Sequence, residues 1–222
     1  MADVRAVIFD LDDTLIRSKI DYKKMKSTII KFLVEVGVEP GLLSENMLNS
    51  ELIKVAVEDL RKKEKSENTI RKVISKVNEI MNRFELESIN DAKLMEGALE
   101  VLGYLKSRGI KIGIITNGCR NYAMSIAKKF SLDKYVDAIV ARDEVSDPKP
   151  NPKHLHVMLK ILGVSAEETI FVGDHWIDAS CARGAAVKFV LLKSGDKRWR
   201  FRDVNCMKFV IVGDLRDLLN LL

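Results

Sequence analysis

The sequence predicts an α/β protein with a doubly wound, Rossmann-like parallel sheet and an inserted α-helical domain. Short apolar runs rich in β-branched and aromatic residues alternate along the chain with stretches of helical periodicity. Several runs are apolar on both faces, which is typical of parallel strands buried between two layers of helices. One long stretch, residues 18–92, has no convincing strand, and its apolar residues recur at helical spacing. The alternation predicts the sheet, and the helical stretch predicts the insert.

Six apolar runs are short enough to be strands of this sheet. They are Val4–Phe9, Ile110–Ile115, Ala138–Val140, Ile170–Val172, Val187–Leu192 and Phe209–Val212. Helices are predicted between strands over Ala98–Arg108, Asn121–Phe130 and Lys153–Leu162. Gly109 and Gly163 follow two of these helices, at the position where glycine commonly ends a helix. Asn151 and Pro152 precede the third helix as its expected N-cap and first helical residue.

The helical stretch follows the first predicted strand and divides the chain into two domains. We expect a core domain of residues 1–17 and 93–222, and a small helical bundle of residues 18–92. The charge run Arg61–Lys65 within the bundle is predicted to be a solvated helix face or loop.

The composition is that of an ordinary soluble globular protein, with 222 residues, 47% hydrophobic and 31% charged. The net charge of +5 is modest, so no nucleic-acid partner is expected, and the basic segment Lys193–Arg202 is predicted to be a surface loop. No apolar run reaches the roughly 18–20 residues that span a bilayer, and the N-terminus lacks a signal-peptide layout. We therefore expect a cytoplasmic protein with no membrane partner. Cys119, Cys181 and Cys206 are far apart, which predicts reduced thiols rather than a zinc site or disulfides.

Polar residues follow four of the predicted strands, at the sheet edge where open parallel sheets bind their ligands. The segments are Asp10-Leu11-Asp12-Asp13-Thr14, Thr116-Asn117-Gly118, a loop with Asp143, Glu144 and Asp147-Pro148-Lys149-Pro150, and Gly173-Asp174 with Asp178 one helical turn later. Crowded carboxylates need a cation, and oxygen ligands suit Mg²⁺. A lysine and a threonine before a helix can hold phosphate oxygens, and a carboxylate can attack phosphorus. This edge is therefore predicted to be a magnesium-dependent phosphoryl-transfer site.

These segments resemble the four motifs of the haloacid dehalogenase superfamily. The matching stretches are Phe9–Leu15, Ile115–Gly118, Asp147–Pro152 and Val172–Asp178. The resemblance covers nearly the whole chain, and the layout is most similar to phosphoglycolate phosphatase-like members. The insert lacks motif support, but its position matches the helical cap that many members carry, which would close over a small substrate.

Four positions depart from the pattern that is common in this superfamily. Asp13 and Arg17 stand where many members have glycine and a second aspartate, and Ala186 replaces a glycine before the fifth strand. His175 stands where serine is common, and it is expected to be only a helix-start residue. Arg17 would lie where the chain enters the cap. It is either a contact for an anionic part of the substrate or a solvated residue of the hinge.

The resemblance implies three overlapping sets of site residues. The catalytic residues would be Asp10, Asp12, Thr116 and Lys149. The substrate- or phosphate-binding residues would be Thr116, Asn117, Gly118, Lys149 and Arg17. The Mg²⁺ site would comprise Asp10, Asp12, Asp174 and Asp178. Asp10 is the implied nucleophile, and Asp12 is the implied general acid and base.

The expected function is a Mg²⁺-dependent phosphatase that hydrolyses a small phosphate ester through an aspartyl-phosphate. Asp12 favours phosphate chemistry, because the dehalogenating members of the superfamily lack an acid at that position. A phosphomutase of the β-phosphoglucomutase type shares all the motifs and remains the alternative. A 2-haloacid dehalogenase and a non-catalytic regulatory protein are less favoured, the latter because every catalytic position is filled.

Overall fold

The computed structural model describes residues 4–193 and 209–222. The predicted surface loop beyond Lys193 and the third cysteine, Cys206, lie outside the described residues. The chain divides into two compact units, one of residues 1–18 and 91–222 and one of residues 19–90. No described helix is long and apolar enough to cross a membrane.

The first unit is built on a six-stranded parallel sheet, which confirms the predicted fold class. The strands in chain order are β1 Ala6–Phe9, β2 Ile16–Arg17, β3 Lys93–Leu94, β4 Lys111–Ile115, β5 Ala138–Val140, β6 Thr169–Gly173, β7 Lys188–Leu192 and β8 Val210–Val212. The sheet order is β5-β4-β1-β6-β7-β8, and β2 and β3 form a separate two-stranded pair. The chain runs outward from β1 in both directions. The edge beyond β1 is therefore the topological switch point, where such sheets bind ligands.

Helices lie between the strands of the first unit and make up most of the second. In chain order the helices are α1 Tyr22–Glu35, α2 Asn49–Lys62, α3 Glu67–Glu87, α4 Ala98–Ser107, α5 Arg120–Lys129, α6 Lys153–Leu162 and α7 Trp176–Gly184. In the first unit, α6 and α7 share a core with β1 and β6, in which Leu155 and Ala179 pack with Ile8 and Phe171. Gly163 ends α6 with a left-handed φ of +64°, as its position predicts.

The second unit is the helical bundle that the apolar spacing predicts. Its three α-helices bury one face each, formed by residues such as Leu33, Leu52 and Val77. Asp21 and Ser66 cap α1 and α3 by accepting hydrogen bonds from backbone amides. The charge run Arg61–Lys65 is exposed at the end of α2, as predicted.

The short pair of β2 and β3 is absent from the sequence prediction. Ile16 pairs with Leu94 and Arg17 with Lys93, next to the points where the chain passes from one unit to the other. Each strand has two residues, which is too short to leave an alternating pattern in a sequence. Cys119 and Cys181 are buried, and neither forms a disulfide within the described residues, as predicted.

Candidate active site

Asp10 is fixed at the carboxyl end of the central strand. It follows the last residue of β1, and its amide donates to the carbonyl of Val172 in the neighbouring β6 at 2.9 Å. Thr116 follows β4 in the same way, and its amide donates to the carbonyl of Val140 at the end of β5. The hydroxyl of Thr14 lies 3.4 Å from Asp10 Oδ2. Residues from four strand ends thus meet at one edge of the sheet.

Lys149 lies at the centre of this edge and is 3% exposed. Its Nζ donates to Asp10 Oδ1, to Asp178 Oδ1 at 2.8 Å and to the carbonyl of Ile115 at 3.3 Å. Burial lowers the pKa of Lys149, but the charges of Asp10 and Asp178 and their hydrogen bonds outweigh it and raise this pKa above its usual range. Lys149 is therefore a permanent buried cation among carboxylates.

Three carboxyl groups lie around Lys149, and their full ionisation would give more negative charge than one lysine balances. One oxygen from each of Asp10, Asp174 and Asp178 lies within 4.8 Å of the others. Burial, together with the charges of Asp178 and Asp12, raises the pKa of Asp10 to about 8, against the opposing effect of Lys149. Burial and the neighbouring charges, above all that of Asp10, raise the pKa of Asp174 to about 9. An oxygen-only donor set that resists full ionisation is suited to a hard divalent cation such as Mg²⁺.

Asp178 is held by the start of α7. Its Oδ2 accepts a hydrogen bond from the amide of His175 at 3.1 Å. The amide of Ile177 donates to His175 Nδ1 at 3.4 Å. A side chain at position 173 would place its Cβ 2.7 Å from Asp178, so only glycine allows this approach. His175 is thus the N-cap of α7, the helix-start role that its position in the sequence predicts.

Asp12 is held between two hydroxyl groups. The phenol of Tyr122 donates to Asp12 Oδ1 at 2.6 Å, and Thr116 Oγ1 lies 3.4 Å from Asp12 Oδ2. The amide of Gly118 donates to Thr116 Oγ1 at 2.9 Å, which fixes the hydroxyl at the turn before α5. No sequence motif identifies Tyr122 as a site residue. Its only signal in the sequence is its place in the first turn of α5, directly after the Thr116–Gly118 segment.

The loop that carries Lys149 is held by two further side chains. Asn117 Nδ2 donates to the carbonyl of Lys149 at 2.9 Å. The amide of Lys149 donates to His154 Nδ1 at 3.3 Å, and His154 Nε2 contacts the carbonyl of Val140 at 2.9 Å. Burial, and then the charge of Lys149, lowers the pKa of His154 to about 4. His154 is therefore a neutral, fully buried bridge between the Lys149 loop and β5, and sequence reasoning misses it.

Two of the departures from the superfamily pattern occupy left-handed backbone. Asp13 has a φ of +60° and Ala186 a φ of +56°. Glycine adopts this conformation without the steric penalty of a side chain. The glycine that many members carry at these two positions is therefore explained by the backbone conformation. In this chain, Asp13 and Ala186 adopt the same conformation at a steric cost.

The acids of the loop after β5 do not join the carboxylate cluster. Asp143 accepts a hydrogen bond from the amide of Arg120 at 2.8 Å, and Glu144 forms an ion pair with the Arg120 side chain. Asp147 forms an ion pair with Lys153 at 2.7 Å. These acids attach their loop to the first residues of α5 and α6. The side chain of Arg17 is exposed on β2, so its role in substrate binding remains a prediction.

Comparisons with known proteins agree with this geometry. Residues 7–192 match the haloacid dehalogenase-like hydrolase family. The chain is 27% identical over 207 residues to a phosphoglycolate phosphatase from Rhodospirillum rubrum, covering 87% of this chain and 81% of that protein. It is 42% identical over 93 residues to pyrophosphatase PpaX from Halalkalibacterium halodurans, covering 42% of this chain and 43% of that protein. The chain thus matches less than half the length of PpaX.

The fold is also that of solved members of the superfamily. The crystal structure of a HAD-superfamily hydrolase of subfamily IA, variant 1, from Geobacter sulfurreducens superposes with a TM-score of 0.62. The two chains are 23% identical, and the superposition covers 99% of this chain and all of the other. This chain therefore belongs to the haloacid dehalogenase-like hydrolase family. Within the family it resembles the phosphoglycolate phosphatases, as the sequence predicts.

Proposed function

We propose that this protein is a Mg²⁺-dependent phosphatase that hydrolyses a small phosphate ester through an aspartyl-phosphate at Asp10. The observation that supports this most strongly is the buried arrangement of Lys149 between Asp10 and Asp178. Asp12 Oδ2 and Thr116 Oγ1 lie 3.4 Å apart in the same site. A nucleophilic carboxylate, a fixed cation, a hydroxyl donor and a second carboxyl group are the groups that this reaction requires.

The proposed cation site consists of Asp10, Asp174, the backbone carbonyl of Asp12 and, directly or through water, Asp178. A Mg²⁺ ion held there supplies positive charge that stabilises the transferring phosphoryl group. The raised pKa values of Asp10 and Asp174 support such a site, because a bound cation lets both carboxylates ionise together. Asp10 must be ionised to act as a nucleophile.

The proposed reaction has two chemical steps. In the first, a carboxylate oxygen of Asp10 bonds to phosphorus, the ester P–O bond breaks, and Asp12 gives its proton to the leaving oxygen, which departs as an alcohol. In the second, Asp12 takes a proton from water, the water oxygen bonds to phosphorus, and the bond to Asp10 breaks to release phosphate. Lys149, Thr116 and the Gly118 amide hold the phosphoryl oxygens in both steps.

The names of the relatives indicate the first substrates to test. Phosphoglycolate phosphatases match most of this chain, so 2-phosphoglycolate is the first candidate. Pyrophosphate is the second candidate, because the match with PpaX has the higher identity over its shorter range. In this proposal residues 18–92 are a cap domain that contributes to substrate selection.

The test is a screen of phosphorylated metabolites for phosphate release with Mg²⁺ and with excess chelator. We expect release with Mg²⁺ from the wild-type protein and none with chelator or from the Asp10→Asn variant. Equal release by wild-type protein and Asp10→Asn would overturn the proposal, as would halide release from 2-haloacids without any phosphate release. Isomerisation of a sugar phosphate without phosphate release would identify a phosphomutase instead.

A further inference from the structure

We propose that Tyr122 is a positioning residue that orients the Asp12 carboxyl group for proton transfer to the leaving group. This inference rests on the proposed phosphatase function, in which Asp12 is the general acid and base. The phenol of Tyr122 donates to Asp12 Oδ1 at 2.6 Å, which is short for a hydrogen bond between oxygen atoms. It is shorter than the 3.4 Å contact between Thr116 Oγ1 and Asp12 Oδ2.

The ring of Tyr122 is fixed before any substrate binds. The residue has no exposed surface and is the largest of the fully buried side chains in the described part of the chain. It belongs to the first turn of α5, and its ring lies against the backbone of Gly118. A Cβ at position 118 would lie 2.7 Å from Tyr122 Cδ1, so the glycine makes room for the ring. The phenol is therefore held rigidly, as the orientation of a catalytic group requires.

The hydrogen bond assigns different tasks to the two oxygens of Asp12. Because Tyr122 donates to Oδ1, this oxygen is an acceptor whether Asp12 is ionised or neutral. The transferable proton then belongs on Oδ2. Oδ2 is the oxygen 3.4 Å from Thr116 Oγ1, on the side of the residues proposed to hold the phosphoryl group. Tyr122 thus keeps the proton-bearing oxygen directed at the reacting bond, in both chemical steps.

The dependence on the leaving group tests this role. A poor leaving group, such as the alkoxide of an alkyl phosphate, needs a proton as the ester bond breaks, whereas p-nitrophenolate needs very little help. We compare kcat/KM, which reports the first chemical step, for an alkyl phosphate substrate and for p-nitrophenyl phosphate. In Tyr122→Phe the ratio of alkyl to aryl kcat/KM should fall by about 10- to 100-fold, the range expected for loss of a hydrogen bond to a charged group.

Two controls separate positioning from packing. Tyr104→Phe is the first control. Within the described residues, the Tyr104 hydroxyl accepts a hydrogen bond from Arg108, outside the proposed site, so its removal should leave the ratio of alkyl to aryl kcat/KM unchanged. In an Asp12→Asn background, adding Tyr122→Phe should not lower the ratio further, because both changes act on the same proton transfer. The midpoint of thermal unfolding reports whether each variant is folded. If Tyr122→Phe fails to fold, Tyr122→Leu, which is smaller and also lacks the phenol, takes its place in the comparison.

An equal loss of kcat/KM for both esters would overturn the inference, because a merely structural defect does not distinguish leaving groups. Unchanged kcat/KM values for both esters in Tyr122→Phe would overturn it as well. Failure of the proposed function has a different signature, since Asp10→Asn would then release phosphate as fast as the wild-type protein. The two outcomes are therefore distinguishable in one set of assays.

Discussion

Binding of Mg²⁺ should release protons from the carboxylate cluster. The pKa of Asp10 is raised to about 8 and that of Asp174 to about 9, so at pH 7 the metal-free protein holds about two protons on these groups. A cation that binds both carboxylates displaces those protons. The affinity for Mg²⁺ should therefore rise by roughly 10- to 100-fold for each pH unit between about pH 6 and 7.5, and level off above about pH 9.

The stability of the metal-free protein should change in the opposite direction. Both pKa values lie above those of the unfolded chain, so the folded state binds more protons between about pH 4 and pH 9. The free energy of unfolding of the metal-free protein therefore falls as pH rises through this window. Saturating Mg²⁺ should remove most of this loss, because it binds the folded state with both groups ionised.

Isothermal titration calorimetry in buffers of different ionisation enthalpy measures the protons released on Mg²⁺ binding. We expect about two at pH 7 for the wild-type protein and about one for Asp174→Asn. Asp143→Asn is the matched control, because Asp143 accepts a hydrogen bond from the Arg120 amide and lies outside the cluster. A Mg²⁺ affinity that is independent of pH between about 6 and 9 would show that Mg²⁺ binding displaces no protons from these carboxyl groups.

Three further substitutions test individual residues. Arg17→Ala should raise KM for an anionic substrate by about tenfold with little effect on kcat, if the side chain contacts the substrate, and steady-state kinetics would show it. His154→Phe should lower the free energy of unfolding by about 1–3 kcal/mol in urea titrations, because it leaves the buried amide of Lys149 without its acceptor. The same variant should lower kcat more than it changes KM, since Lys149 is displaced. Ala186→Gly should raise the free energy of unfolding by up to about 1 kcal/mol, because φ is +56°.

Each of these substitutions has a control in the same chain. Lys93→Ala changes the residue paired with Arg17 across the short sheet, and KM should stay the same. His156→Phe alters an exposed histidine of the same helix, and both stability and kcat should be unaffected. Ala166→Gly changes a turn alanine with ordinary backbone and should not stabilise the protein. An unchanged KM in Arg17→Ala, a wild-type kcat in His154→Phe or a less stable Ala186→Gly would each contradict the stated reason.

The sheet and its rim of polar residues were predictable because their signals are local. Apolar runs mark the strands, and the topology of a parallel sheet then brings the residues after each strand to one edge. Asp10, Thr116 and Lys149 meet for that reason. Asp178 could be placed as well, because its spacing of four residues from Asp174 fits one turn of a helix. The raised pKa values follow from how deeply these acids are buried, and sequence spacing does not give the depth.

The supporting side chains could not be predicted because their contacts cross large sequence separations. Tyr122 contacts Asp12 across 110 positions, and nothing in the first turn of α5 marks it. His154 contacts the carbonyl of Val140, 14 residues earlier, through a loop whose path the sequence does not show. Asp143 and Glu144 are the opposite case, because their sequence positions group them with the site acids and the structure places them outside the carboxylate cluster. Their carboxylates contact Arg120 at the start of α5, and composition alone does not separate such acids from those of a cation site.

The proposed reaction requires a covalent phosphoryl group on Asp10. Rapid acid quenching during turnover of the best substrate with Mg²⁺, followed by mass spectrometry of the digested protein, would detect this group directly. We expect a phosphate adduct on the peptide that contains Asp10, absent with chelator and absent in Asp10→Asn. Steady phosphate release with no adduct on Asp10 at any quench time, or with an adduct on another residue, would contradict the account.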